Sequence, residues 1–159
     1  MCRTRPAFTL VEILIVVIIL GILAAIVVPR LSDVTTISRE TNLKENLSKI
    51  RANIQVYRNE HAAFPSPSSF GQQLTKPTDY SGEVAVTRDT THRFGPYLEQ
   101  MPANPVTGQV TVRAASGVSE RFPPGDIDGG WWFNEITGEF YADLKGSHVD
   151  GSGNPYSRY

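Results

Sequence analysis

"AFTLVEILIVVIILGILAAIVVPR", residues 7–30, is the stretch on which the fold turns. Positions 8–28 are almost wholly apolar. At about 1.5 Å per residue they make a helix roughly 31 Å long, enough to cross a bilayer once. Glu12 is the exception inside the run. A carboxylate in hydrocarbon costs roughly 2.5–3.5 kcal/mol on insertion scales, so a helix that keeps one has a use for it. A cleaved secretory signal fits poorly. The apolar part of such a signal is about 7–15 residues long and ends in small residues. Here the uninterrupted run 13–28 is longer and ends at Pro29-Arg30.

The rest of the chain sets this helix in context. A length of 159 residues suits one compact domain plus an appendage. Net charge is −1, which argues against a general affinity for nucleic acid. A mean hydropathy of −0.20 excludes a polytopic membrane protein. The single cysteine, Cys2, allows no internal disulfide and no cysteine metal site. Charge and turn residues divide the chain. Positions 30–63 carry six basic and four acidic groups, whereas 64–159 carry seven basic and eleven acidic ones. Nine of 11 prolines and all glycines but Gly21 lie beyond position 64. Two regimes therefore meet near Phe64-Pro65.

Between 31 and 63 there is no Gly or Pro. Leu43, Leu47, Ile50, Ile54 and Tyr57 recur at spacings of 4, 3, 4 and 3, which predicts one apolar stripe on a helix. Glu40 with Lys44 and Glu45 with Lys49 stand in the favourable i, i+4 order. Pro29 removes a backbone donor at the junction, and Phe64-Pro65 ends the helix. Beyond it, positions 83–88 ("EVAVTR") and 109–114 ("QVTVRA") alternate as strands do. "WWFNEITGEFYADL", 131–144, reads as a hairpin turning at Ile136-Thr137-Gly138. The polar, Gly-rich 146–159 reads as a loose end. The expected fold is α+β: a long N-terminal helix, apolar all round in its first half and amphipathic in its second, packed by the stripe on a small antiparallel sheet.

The first residues add a specific likeness. A short basic leader (Arg3, Arg5) ends at Ala7; then come Phe8, Thr9, Leu10, Val11, Glu12, an apolar helix and Pro29. This resembles the class III signal of the type IV pilin and type II secretion pseudopilin family. The likeness implies the pilin fold, with leader 1–7, a transmembrane and assembly helix 8–28, its amphipathic continuation 29–63 and a β-rich head 64–159. It implies that a prepilin peptidase cuts between Ala7 and Phe8 and methylates the new amine. The family prefers Gly where this chain has Ala7. Glu12 is then the partner of a charge created by the cut, and a pair in a low-dielectric bundle is far stronger than in water. Phe8, Glu12 and Pro29 are the assembly residues so implied. Also implied are a single inner-membrane span with the head outside, a filament of copies of the chain, an assembly ATPase and an inner-membrane platform.

"YLEQMPANPVTGQVTV" (97–112) followed by "DGGWWFNEITGEFYADL" resembles a pseudopilin head, with Asn104 and Val106 where the major type II subunit has Asp and Trp. That subunit holds a structural calcium, for which Asp126 and Asp128 are the candidate ligands; otherwise they belong to an Asp/Gly turn. No other cofactor is expected. His61, His92 and His148 show no metal-ligand spacing and read as surface or capping groups. No G-x-S-x-G, P-loop or G-x-G-x-x-G occurs, so no enzyme is expected. Trp131 and Trp132 point to opposite faces, one to the core and one to a subunit contact. The expected function is a pseudopilus subunit for protein export. The alternatives are a type IV pilus subunit, or an unprocessed membrane-tethered enzyme or sugar-binding head.

Overall fold

The structure, a computed structural model, describes residues 9–115, 117 and 127–159, and of 26–34 the backbone alone. Its elements are α1 (Leu10–His61), α2 (Phe70–Thr75), β1 (Val112–Ala114), β2 (Trp131–Phe133), β3 (Phe140–Ala142) and a 3-10 turn at Tyr156–Arg158. The chain divides into two compact units, one ending at Thr36 and the other Ile37–Tyr159. The first is helical and continuous through Pro29. Every large apolar side chain from Leu10 to Leu23 is more than half exposed. Among the described residues no helix is long and apolar enough to cross a membrane. The expected span 8–28 begins and ends outside the described side chains.

In the second unit the 4-3-4-3 stripe forms the core as the spacing predicts. Leu43, Leu47, Ile50, Ile54 and Tyr57 are each at most 2% exposed. They cluster with Phe70 and Leu74 of α2 and with Trp131, Phe133, Phe140 and Ala142, alternate residues of β2 and β3. Burying each large side chain stabilises the fold by about 1.5–3 kcal/mol. The helix ends two residues earlier than expected. Ala62 takes a left-handed conformation (φ 55°) that stops α1 after His61. Lys44 pairs with Glu40 at 2.7 Å, but among the described residues no ion pair forms between Glu45 and Lys49.

The sheet has the order β1-β2-β3. The expected hairpin is present, with β2 antiparallel to β3 and Phe133 opposite Phe140. The expectation of a purely antiparallel sheet fails, because β1 pairs with β2 in parallel. Sixteen residues separate Ala114 from Trp131, enough to carry the chain back to the starting end. Positions 83–88 are not a strand. Val84 makes one bridge to Thr78, which also bridges to Phe94, and Val86 is left exposed. Trp132 is not a free surface residue but fully buried. Arg113 and Tyr141 flank it on the neighbouring strands and cover the second face. The C-terminal stretch is also ordered by contacts: Tyr156 is buried, and Asp150 closes a turn by accepting from the Ser152 and Asn154 amides.

Two turns in this unit are near copies, Asn-Pro-Val-Thr-Gly-Gln at 104–109 and Asn-Glu-Ile-Thr-Gly-Glu at 134–139. In each, the Asn amide donates to the carbonyl five residues on, at 2.9 Å, and the Gly amide donates back to the Asn carbonyl. In each, the Asn Oδ1 accepts the amide two residues on. Gly108 and Gly138 sit at φ 74° and 78°, where a side chain is strained. At Gly138 a Cβ would also land in the Phe64 ring.

Candidate functional site

The site begins where α1 begins. Thr9 precedes the helix and Glu12 lies in its first turn. The Glu12 amide donates to the Thr9 hydroxyl oxygen at 3.2 Å. In return the Thr9 amide donates to Glu12 Oε2 at 3.1 Å, and the hydroxyl to the same oxygen at 3.0 Å. This is a capping box, which satisfies amides that a helix start otherwise leaves orphaned and sets a negative charge at the positive end of the helix dipole. Glu12 therefore has a partner within its own chain. The Thr-x-x-Glu spacing at 9–12 carried that signal and sequence reasoning did not use it. Ala7 and Phe8 lie outside the described residues. Pro29 lies within α1, its side chain undescribed.

Asp128 is placed and Asp126 lies outside the described residues. Asp128 Oδ1 accepts from His148 Nε2 at 2.9 Å and from the Lys145 amide at 3.3 Å. Its Oδ2 stands 3.4 Å from Lys145 Nζ. Desolvation pushes this carboxyl up, but the Lys145 amide and the charges of His148 and Lys145 outweigh it and hold it below the usual carboxylate range. Calcium takes about 6–8 oxygen ligands. In this structure the Asp128 carboxylate is taken up by an ammonium, an imidazole and an amide. Among the described residues no three His, Cys, Asp or Glu side chains gather as a metal site.

The three histidines all have partners. His92 Nδ1 stands 2.9 Å from Asp89 Oδ2. His61, expected as a surface or capping group, is the last residue of α1 and is buried. It stacks on Tyr57 at 3.9 Å, and its Nδ1 stands 3.1 Å from the Tyr80 carbonyl. Its Nε2 lies near the Tyr97 and Thr78 hydroxyls, and Tyr97 donates onward to Glu60. This cluster ties the end of α1 to the 78–97 segment. Asn104 is fully buried, and its Nδ2 donates to the Gly130 carbonyl at 2.7 Å. An Asp could not make that bond while ionised, which accounts for the amide here. Arg51 donates to the Phe140 carbonyl from Nε and Nη2, and to the main-chain oxygen of Tyr159 from Nη2.

The geometry is thus a capped, apolar and uncovered helix start followed along the same helix by a small α+β unit. The comparisons agree with it. The family model for the prokaryotic N-terminal methylation motif matches residues 2–28. The chain is 34% identical over 104 residues to the type II secretion system core protein G of Pseudomonas aeruginosa, covering 65% of this chain and 69% of that one. It is 28% identical over 108 residues to the protein of the same name from Vibrio cholerae, covering 65% and 66%. It is 30% identical over 88 residues to the type IV major pilin protein PilA of Myxococcus xanthus, covering 55% of this chain and 34% of that one. These matches span about two thirds of the core protein G relatives and a third of the pilin. No solved structure gives a significant match. The chain belongs to the type IV pilin and pseudopilin family.

Proposed function

We propose that the chain is a structural subunit of a type II secretion pseudopilus, cut between Ala7 and Phe8, methylated at Phe8 and assembled through its N-terminal helix. One observation carries the reading. From Leu10 to Leu23 the helix leaves every large apolar side chain more than half exposed. Such a surface needs lipid or other apolar helices around it. Residues 8–28 supply the single inner-membrane span before assembly, with the second unit on the outer side, and the helix–helix core afterwards. The core protein G relatives, matched over more of their length than the pilin, favour export over a surface fibre. A prepilin peptidase, an assembly ATPase and an inner-membrane platform are the partners this work requires.

Glu12 has two roles in this reading. Before the cut its carboxylate is held by the Thr9 amide and hydroxyl. After the cut the amine of Phe8 on a neighbouring copy offers a full positive charge, which a low-dielectric bundle rewards. Exchange of Glu12 for Val tests this. Membrane insertion should persist, since a costly carboxylate is gone, while filament yield falls. Filaments of normal yield from that variant would refute the pairing role.

A further inference from the structure

Four side chains with polar hydrogens or lone pairs meet where α1 ends. His61 is buried there, stacked on Tyr57 at 3.9 Å and edge-on to Phe94 at 5.0 Å. The partner of its Nδ1 is the Tyr80 carbonyl at 3.1 Å, so Nδ1 carries a hydrogen and donates it. Its Nε2 stands 2.9 Å from the Tyr97 hydroxyl and 3.2 Å from the Thr78 hydroxyl. The Tyr97 oxygen stands 2.5 Å from Glu60 Oε2. A neutral ring with Nδ1 protonated leaves Nε2 an acceptor, and an ionised Glu60 only accepts. The single hydrogen of Tyr97 then fills one of these two short contacts and not both. Given to Glu60, it leaves the 2.9 Å contact with two lone pairs face to face. The Thr78 hydroxyl reaches Nε2 but puts no hydrogen between Nε2 and Tyr97. One more proton completes the row, on His61 or on Glu60. Glu60 is exposed, and water sustains its charge. His61 lies in the last turn of α1, where the carbonyl end of the helix favours a cation. The contacts are those of an imidazolium.

We propose that His61 is a pH-sensitive clasp that fastens the 78–97 segment to the end of α1. As an imidazolium it donates from Nε2 to the Tyr97 oxygen, and Tyr97 donates to Glu60, so the row carries opposite charges at its two ends. Loss of the Nε2 proton to solvent leaves two acceptors facing each other, and the segment loses that link. An imidazole makes this change between about pH 5 and 8. Of the other titratable groups around the ring, burial pushes the Tyr57 hydroxyl up to about 12. Burial and then Glu60 push the Tyr97 hydroxyl up as well, so both phenols stay protonated. Asp79, whose charge reaches Tyr57, is held down chiefly by the Ser81 hydroxyl and stays ionised. His92, paired with Asp89, is a second imidazole on the same segment. The clasp lies wholly within the second unit and needs no filament.

The test follows amide exchange by NMR in the full chain in detergent micelles, corrected for the intrinsic effect of pH. The reporters are the Thr78 and Phe94 amides, which donate to each other's carbonyls beside the His61 ring. Their protection should fall about tenfold from about pH 5 to about pH 8.5, as expected for one charge-assisted bond, while amides near Ile50 keep theirs. Tyr97→Phe removes the hydroxyl and keeps the ring, and should abolish the step by lowering protection at acid pH. Glu60→Gln, at an exposed position, should shrink the step, and His92→Gln should leave it intact. A parent chain with no step overturns the proposal. So does a step that persists undiminished in Tyr97→Phe or Glu60→Gln, vanishes in His92→Gln, or is shared by the amides near Ile50.

Discussion

Asn104→Asp changes one buried atom and abolishes one hydrogen bond. Asn104 is fully buried, and its Nδ2 donates to the Gly130 carbonyl at 2.7 Å while Oδ1 accepts the Val106 amide. A carboxylate keeps the second bond and sets oxygen against oxygen at the first. The lost bond is worth about 1 kcal/mol net, since Gly130 keeps the Asp143 amide as a donor. The stranded charge costs more, up to a limit. Protonating the new carboxyl restores a donor, and holding a group of ordinary pKa about 3.9 neutral at pH 7 costs about 4 kcal/mol. The expected loss is therefore about 2–4 kcal/mol at pH 7. The sign with pH follows. The folded state prefers the neutral form, so the carboxyl pKa is raised on folding. The deficit is small below the unfolded value of about 3.9 and grows as pH rises toward the folded value. Urea unfolding of the full chain in detergent micelles, followed by the fluorescence of buried Trp131 and Trp132, gives both numbers. Equal stability of variant and parent at pH 7, or a gap that widens on acidification, would refute the reasoning.

Leu47→Ala empties the centre of the stripe, where Leu47 is 1% exposed, and should cost about 2–5 kcal/mol in the same unfolding assay with no change in the denaturant slope. Asp89 accepts the His92 and Thr91 amides and the His92 ring, and the His92 amide above all draws its pKa down to about 2. The contribution of this turn is thus complete above about pH 4 and is lost as pH falls through 2; carboxyl NMR shifts of Asp89 should titrate near 2, and a midpoint near 4 would contradict the turn geometry. Thr9→Ala removes the hydroxyl of the capping box, so the Glu12 amide should exchange faster with solvent while amides near Ile50 stay protected.

What could be read from the sequence was whatever period or local spacing sets by itself. The apolar run, the 43-47-50-54-57 stripe and the 131–144 hairpin are local patterns, and they are present. The parallel pairing of β1 could not be read, because it depends on where a sixteen-residue connection returns the chain. The burial of His61 depends on Thr78, Tyr80 and Tyr97, seventeen to thirty-six residues away. The contacts of Asp128 could not be read either, because Lys145 and His148 reach it from seventeen and twenty residues on. The capping box is a different case, since Thr-x-x-Glu is a local signal in plain view. The partner it supplies to Glu12 lies three residues before it.

On the proposed function, this helix becomes an assembly element only after a cut at one bond. Intact-mass and N-terminal fragment spectra of the chain extracted from membranes test it directly. The expected chain begins at Phe8, its amine methylated, with the seven leader residues and Cys2 among them gone. A chain that still begins at Met1 while filaments form would contradict it.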